Sequence, residues 1–109
     1  RQAAYRTGVM AGTFTNKTTS TNIFVIGEGP DGRSKLIVIK PEQRSPGDFD
    51  ADFFRLDGKW YKISVFSASV IEVNSVFEPI GYLRQANEEE TSSCERMLRN
   101  FWEEKRNRS

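Results

Sequence analysis

Three aspartates at alternate positions, Asp48, Asp50 and Asp52, are the residues whose type and spacing most directly suggest chemistry. Residues two apart on an extended strand share a face, so three carboxylates there could hold a divalent cation. The calcium-loop pattern fails at two positions, however. Phe53 stands where that loop needs its turn glycine, and Lys59 where it needs its bidentate glutamate. The three aspartates are therefore weak metal candidates, ranked behind a solvated strand face with Asp52 opposite Lys62. No cofactor is expected.

A second constellation lies just beyond: Phe54, Arg55, Asp57, Lys59, Trp60 and Lys62. Large aromatics beside charge are what protein-binding hot spots look like, and these six are the candidate partner-binding residues. The competing reading packs Phe54 and Trp60 under a C-terminal helix, with Phe101 and Trp102 as their contacts. Arg55, Lys59, Trp60 and Lys62 also approach the aromatic-plus-cation pattern that binds single-stranded nucleic acid. Asp48, Asp50, Asp52 and Asp57 would repel phosphate from the same neighbourhood, which disfavours that alternative.

Catalytic chemistry has little to work with. The chain contains no histidine, which removes Ser-His-Asp and Cys-His catalysis and every histidine-containing metal site. The single cysteine, Cys94, allows neither an internal disulfide nor a structural zinc site. Without a base partner, Cys94 reads as a small core residue. Gly27-Glu28-Gly29 leads into a turn and a strand, not a helix, and so is not a phosphate cradle. Asp, Glu, Lys, Arg or Tyr could serve a metal-independent nuclease, but no spacing specifies one. The expectation is a non-enzymatic protein–protein recognition module of the inhibitor, immunity or adaptor kind, acting through the Asp48–Phe66 hairpin.

The elements that must position these residues can be taken in order. Tyr5 to Thr15 alternates with period two and reads as a strand. Asn16 to Thr21 is a polar loop containing a formal glycosylation triplet, Asn16-Lys17-Thr18. Asn22 to Lys40 is a hairpin turned by Pro30-Asp31-Gly32. Its symmetry pairs Ile26 with Leu36, Val25 with Ile37, Phe24 with Val38 and Ile23 with Ile39. Both strands are apolar on both faces, so the hairpin is expected at the centre of a sheet. Pro41 to Gly47 is a connecting loop.

The Asp48–Phe66 hairpin then admits two registers. A two-residue Asp57-Gly58 turn pairs Phe53 with Lys62 and mixes the faces. A three-residue Leu56-Asp57-Gly58 loop gives an apolar face of Phe49, Ala51, Phe53, Tyr61, Ile63 and Val65, and a polar face carrying Phe54 and Trp60. The second register is expected because one buried face pins pairing. Val70 to Val73 and Val76 to Leu83 are further strands, the latter marked as an edge or bulge by Pro79.

From about Glu89 to Arg106 the chain turns helical, with Ser92 and Glu95 at capping-box spacing. Cys94, Met97, Leu98, Phe101 and Trp102 form an apolar stripe, and a basic tail follows. The fold class is mainly β (α+β): an antiparallel six- to seven-stranded small barrel or sandwich with one C-terminal amphipathic helix. Short loops argue against parallel pairing.

At 109 residues, 37% apolar and 28% charged, the chain reads as one domain, 1–109, with a β-rich body over 1–85 and a helix and tail over 86–109. A net charge of +1 supplies no global attraction for nucleic acid, and no apolar run is long enough to span a bilayer. The first residue, Arg1, points to a fragment or a processed chain. The lone cysteine leans toward the cytoplasm, with periplasmic or secreted placement open if a signal peptide has been removed.

Overall fold

In a computed structural model, residues 13–63, 70–74 and 83–108 are described. Residues 5–12, the bend at 67–69 and the stretch around Pro79 lie outside the described residues. The strands are β1 (Thr13–Asn16), β2 (Ile23–Glu28), β3 (Ser34–Ile39), β4 (Asp50–Leu56), β5 (Lys59–Ile63), β6 (Val70–Val73) and β7 (Leu83–Gln85). One helix, α1 (Glu88–Asn107), follows. The fold is thus mainly β, with seven described strands, an antiparallel main sheet and a C-terminal helix.

The main sheet runs β3-β2-β4-β5-β7, antiparallel throughout, and is open, with β3 and β7 at its edges among the described residues. A second sheet pairs β1 with β6 in parallel, Thr13 opposite Val70. This corrects the expectation of antiparallel pairing alone. The whole of β2 to β5 lies between these two strands, so their connection is long enough to bring them side by side in the same direction.

The β2–β3 hairpin has the expected register, from Ile23↔Ile39 to Ile26↔Leu36. Gly32 accepts a left-handed backbone (φ 78°) and the Asp31 carboxylate accepts a 3.0 Å hydrogen bond from Arg33 N–H. Only β2 is central. β3 is an edge strand whose Leu36, Ile37 and Val38 are half-buried.

Two apolar layers flank the main sheet. On one face Val25, Ile39, Phe49, Ala51, Phe54, Leu56, Ile63 and Leu83 pack with Phe14 and Val73 of the small sheet. On the other, Ile26 and Trp60 pack with Ala86, Cys94 and Leu98, with Phe24, Leu36, Phe53 and Met97 at the margin. Among the described residues both faces of the sheet carry an apolar layer, so burial of one face does not select the register of Asp48–Phe66.

β4 and β5 use the two-residue Asp57-Gly58 turn, pairing Leu56 with Lys59, Arg55 with Trp60, Phe54 with Tyr61 and Phe53 with Lys62. A bulge in β4 explains why. β2 residues Ile26 and Gly27 are consecutive, yet their β4 partners are Phe53 and Ala51. The extra residue, Asp52, inverts the alternation, so Phe49 and Ala51 share a face with Phe54 and Leu56 while Phe53 goes to the other.

A buried knot fixes the end of β1. Asn16 Nδ2 donates to the carbonyls of Thr21 (2.7 Å) and Ile39 (2.8 Å), and its Oδ1 accepts from Thr18 N–H (2.9 Å) and Thr18 Oγ1 (2.6 Å). Asn16 is fully buried, so the triplet it begins is closed to a glycan in the folded chain.

α1 begins one residue earlier than expected and is capped differently. Asn87 accepts from Glu90 N–H (2.8 Å) and Glu90 accepts from Asn87 N–H (2.9 Å), a capping box five residues before the Ser92–Glu95 pair.

Candidate recognition surface

The structure separates the residues expected to act together. Phe54 is fully buried in the first apolar layer, its ring 5.1 Å from Phe14 and stacked at 5.3 Å on Tyr61. Trp60 is 2% exposed on the opposite face, under α1. Both belong to the interior, and the expected Phe54/Trp60 contact patch is not present. Nor are Phe101 and Trp102 the residues that cover Trp60. It packs with Cys94 and Leu98, and its indole donates to Glu95 Oε2 at 2.5 Å.

Among the other candidates, Arg55 is half-buried with Nε 3.6 Å from Glu95 Oε2, and Lys62 lies over the Phe53 ring at 4.7 Å. Asp57 (φ 52°) and Lys59 are exposed at the hairpin tip. The tip is accessible, but the aromatic that follows it, Trp60, is buried.

The aspartates do not converge either. Asp48 is exposed, Asp50 is 2% exposed and Asp52 sits half-buried at the bulge, where the register sets Phe53 rather than Asp52 opposite Lys62. Among the described residues, no group of three His, Cys, Asp or Glu side chains could hold a metal ion. Cys94 is buried, and desolvation, followed by the charges of Glu90 and Glu95, pushes its thiol up to about 12.

A different surface combines exposed aromatic area with charge. Trp102 is 52% exposed, the one large apolar side chain so exposed among the described residues. It forms an edge-to-face cluster with Phe101 (5.5 Å) and Phe24 (5.8 Å), and Phe24 meets Phe101 at 6.0 Å. Lys105 Nζ lies 5.2 Å from the Phe101 ring centre. Beside this ledge a groove runs between α1 and β3, lined by Lys35, Leu36, Met97, Asn100, Phe101 and Glu104. The sequence held a signal for it. The apolar stripe of α1 is wider than one helix contact needs, and the hairpin strand Leu36–Ile39 is apolar on both faces.

At the other end of α1, Arg84 on β7 grips Glu90 with two 2.8 Å hydrogen bonds. That pairing, with the Asn87 backbone N–H, draws the Glu90 carboxyl down to about 2. No helix among the described residues is long and apolar enough to cross a membrane. No family model matches the chain, and no curated protein or solved structure is significantly similar to it.

Proposed function

We propose that the protein is a non-enzymatic recognition module that binds another protein, in an inhibitor, immunity-type or adaptor role, on a scaffold of two facing sheets and one helix. The observation that carries this reading is the exposed Trp102 on a ledge it shares with Phe24 and Phe101, beside a groove with an apolar floor and a charged rim. Exposed tryptophan next to cations is the composition of binding hot spots, and Trp102 does not stand singly but continues an aromatic cluster with Phe24 and Phe101. The contact surface accordingly moves from the Asp48–Phe66 hairpin to the C-terminal half of α1. Single-strand nucleic-acid binding through Arg55, Lys59, Trp60 and Lys62 loses its stacking platform, because Trp60 is interior.

A photoreactive tryptophan analogue in place of Trp102, which keeps the indole-sized ring, with a photoreactive control at Lys59, tests the reading in extract from the native source. A discrete protein adduct at 102, competed by unlabelled protein but not by Trp102→Ala, is expected. An adduct at 59 alone returns the site to the hairpin tip, and adducts at neither position overturn the proposal.

A further inference from the structure

One flank of α1 carries a second line of residues beside its apolar stripe. Glu88, Ser92, Glu95, Arg99, Trp102 and Arg106 are spaced alternately four and three residues apart, so they follow one side of the helix for about 27 Å. Glu95 is half-buried and the other five are exposed. This is the side of α1 that meets Phe24, Arg55 and Trp60, cross-strand neighbours on β2, β4 and β5. Each of those three is one residue from the end of its strand, so the described sheet stops just beyond them. The line is accessible to a second helix laid alongside.

Its charges are not satisfied within the chain. Arg99 stands four residues from both Glu95 and Glu103, a spacing at which opposite charges on a helix pair. Yet among the described residues Glu88, Arg99 and Arg106 make no ion pair. The line is acidic in its N-terminal half, at Glu88 and Glu95, and basic in its C-terminal half, at Arg99 and Arg106. Trp102 projects from the basic half, and a shallow depression lined by Asn87, Glu88, Glu89 and Ser92 lies in the acidic half. A partner of one charge sign matches only half of this line. A partner that repeats it in reverse matches all of it.

We propose that the occupant is a second copy of this chain, its α1 antiparallel to the first about a two-fold axis level with Met97. Every position of the line then meets another. Glu88 faces Arg106 of the second copy, Glu95 faces its Arg99, and Trp102 faces its Ser92 at the rim of the depression. The symmetry makes each contact twice. A parallel pairing would instead set Glu88 against Glu88 and Arg99 against Arg99. The large ring meeting a small side chain and a hollow supplies the shape match that a central anchor needs.

This inference rests on the reading of Trp102 as a recognition residue and supplies its regulation, because the dimer covers the surface another protein would use. The contact is one helix wide and rich in charge, so it is weak and weakened further by salt.

The test is sedimentation of the intact chain at low salt, at concentrations up to about 1 mM. A monomer–dimer equilibrium is expected. Glu88→Arg and Arg106→Glu each set like charges face to face and should lower the association constant about tenfold or more. The double variant exchanges the signs and should recover it to within about threefold. Trp102→Ala and Ser92→Arg, which fills the depression, should each weaken the dimer about tenfold as well. Ser92→Arg, at an exposed position, supplies the test alone if circular dichroism shows a charge variant unfolded. A chain monomeric throughout, a dimer indifferent to the single substitutions, or one that the folded double variant fails to recover overturns the proposal. A chain that never dimerises yet gives a Trp102 adduct with another protein loses only the dimer. An adduct between two copies alone keeps the dimer and removes the foreign partner.

Discussion

Trp60 Nε1 donates a 2.5 Å hydrogen bond to Glu95 Oε2, joining β5 of the main sheet to α1. The same oxygen lies 3.6 Å from Arg55 Nε, a Coulombic contact too long for a hydrogen bond. Trp60 is thus the central anchor of the helix-side layer. Trp60→Ala should lower the unfolding free energy by about 3–5 kcal/mol, the range for removing a buried large aromatic. Trp60→Phe keeps most of the apolar volume and should lose less, about 1–2 kcal/mol, from the missing donor and the smaller ring. Urea titration of both variants measures this. A Trp60→Ala chain with unchanged stability would mean the helix is not docked here.

The hairpin that held the most suggestive residues was the least legible part of the sequence. Strict alternation across Asp48–Phe66 predicts one continuous two-faced hairpin, but the bulge at Asp52 interrupts it, and its cause lies in another strand. Gly27 of β2 faces Asp50 and Ala51 at the bulge, and a period-two reading within one hairpin has no access to that neighbour. The Asn22–Lys40 hairpin was legible to the residue because its turn chemistry and two equal apolar arms determine the register locally. The helix was legible to within a residue at each end, although Asn87 supplies the cap in place of Ser92. Which of its aromatics would be covered was not legible. That depends on how α1 lies across β2 and β3.

Acid should weaken the helix N-terminus specifically. Glu90 titrates at about 2 in the folded chain against an ordinary value of 4.5, held down first by Arg84 and then by the Asn87 N–H. A depressed carboxyl pKa means that the ionised form stabilises the fold above the unfolded value. That contribution is present above about pH 4.5 and is lost as the pH falls toward 2. Glu90→Gln should therefore be less stable than wild type at neutral pH, and the two stability curves should converge between pH 4.5 and 2. A difference that is flat across that window would assign the loss to packing. Asn87→Ala removes the other half of the capping box and should cost about 1 kcal/mol at any pH above that window.

Asn16 ties three segments together from a fully buried position, donating to Thr21 and Ile39 carbonyls and accepting from Thr18. Asn16→Ala removes the side-chain donor to Ile39 C=O and the acceptor for Thr18 N–H, while Thr21 C=O keeps the Thr18 hydroxyl at 2.9 Å; each buried group left unsatisfied costs about 1–3 kcal/mol, so a loss of about 3 kcal/mol is expected. Asn16→Asp is the sharper variant. It keeps the acceptor for Thr18 but replaces two donations by a carboxylate facing carbonyl oxygens, and should be at least as damaging. Thermal melts of the two variants decide this. If Asn16→Asp matched wild type, the donations to Thr21 and Ile39 would contribute nothing.

Gly27 supplies the most local test of the bulge in β4. A β-carbon at this position would stand 2.2 Å from the Asp50 carbonyl oxygen and 2.9 Å from Ala51 Cα, both backbone atoms that no side-chain rotation can move aside. Gly27→Ala must therefore push β4 away from β2 at the bulge. Overpacking of this kind costs about 1–3 kcal/mol when the surroundings relax, and the cost here should lie at or above the top of that range because the obstruction is backbone. The displacement also has a direction. It should loosen the Asp50–Ala51 end of β4 before the Phe54–Leu56 end, which is held by β5 and the Asp57-Gly58 turn. Amide exchange should accordingly rise at residues 50 and 51 and stay protected at 54–56. Uniform exchange along β4 would mean that Gly27 sets only the packing density and that the bulge is specified elsewhere.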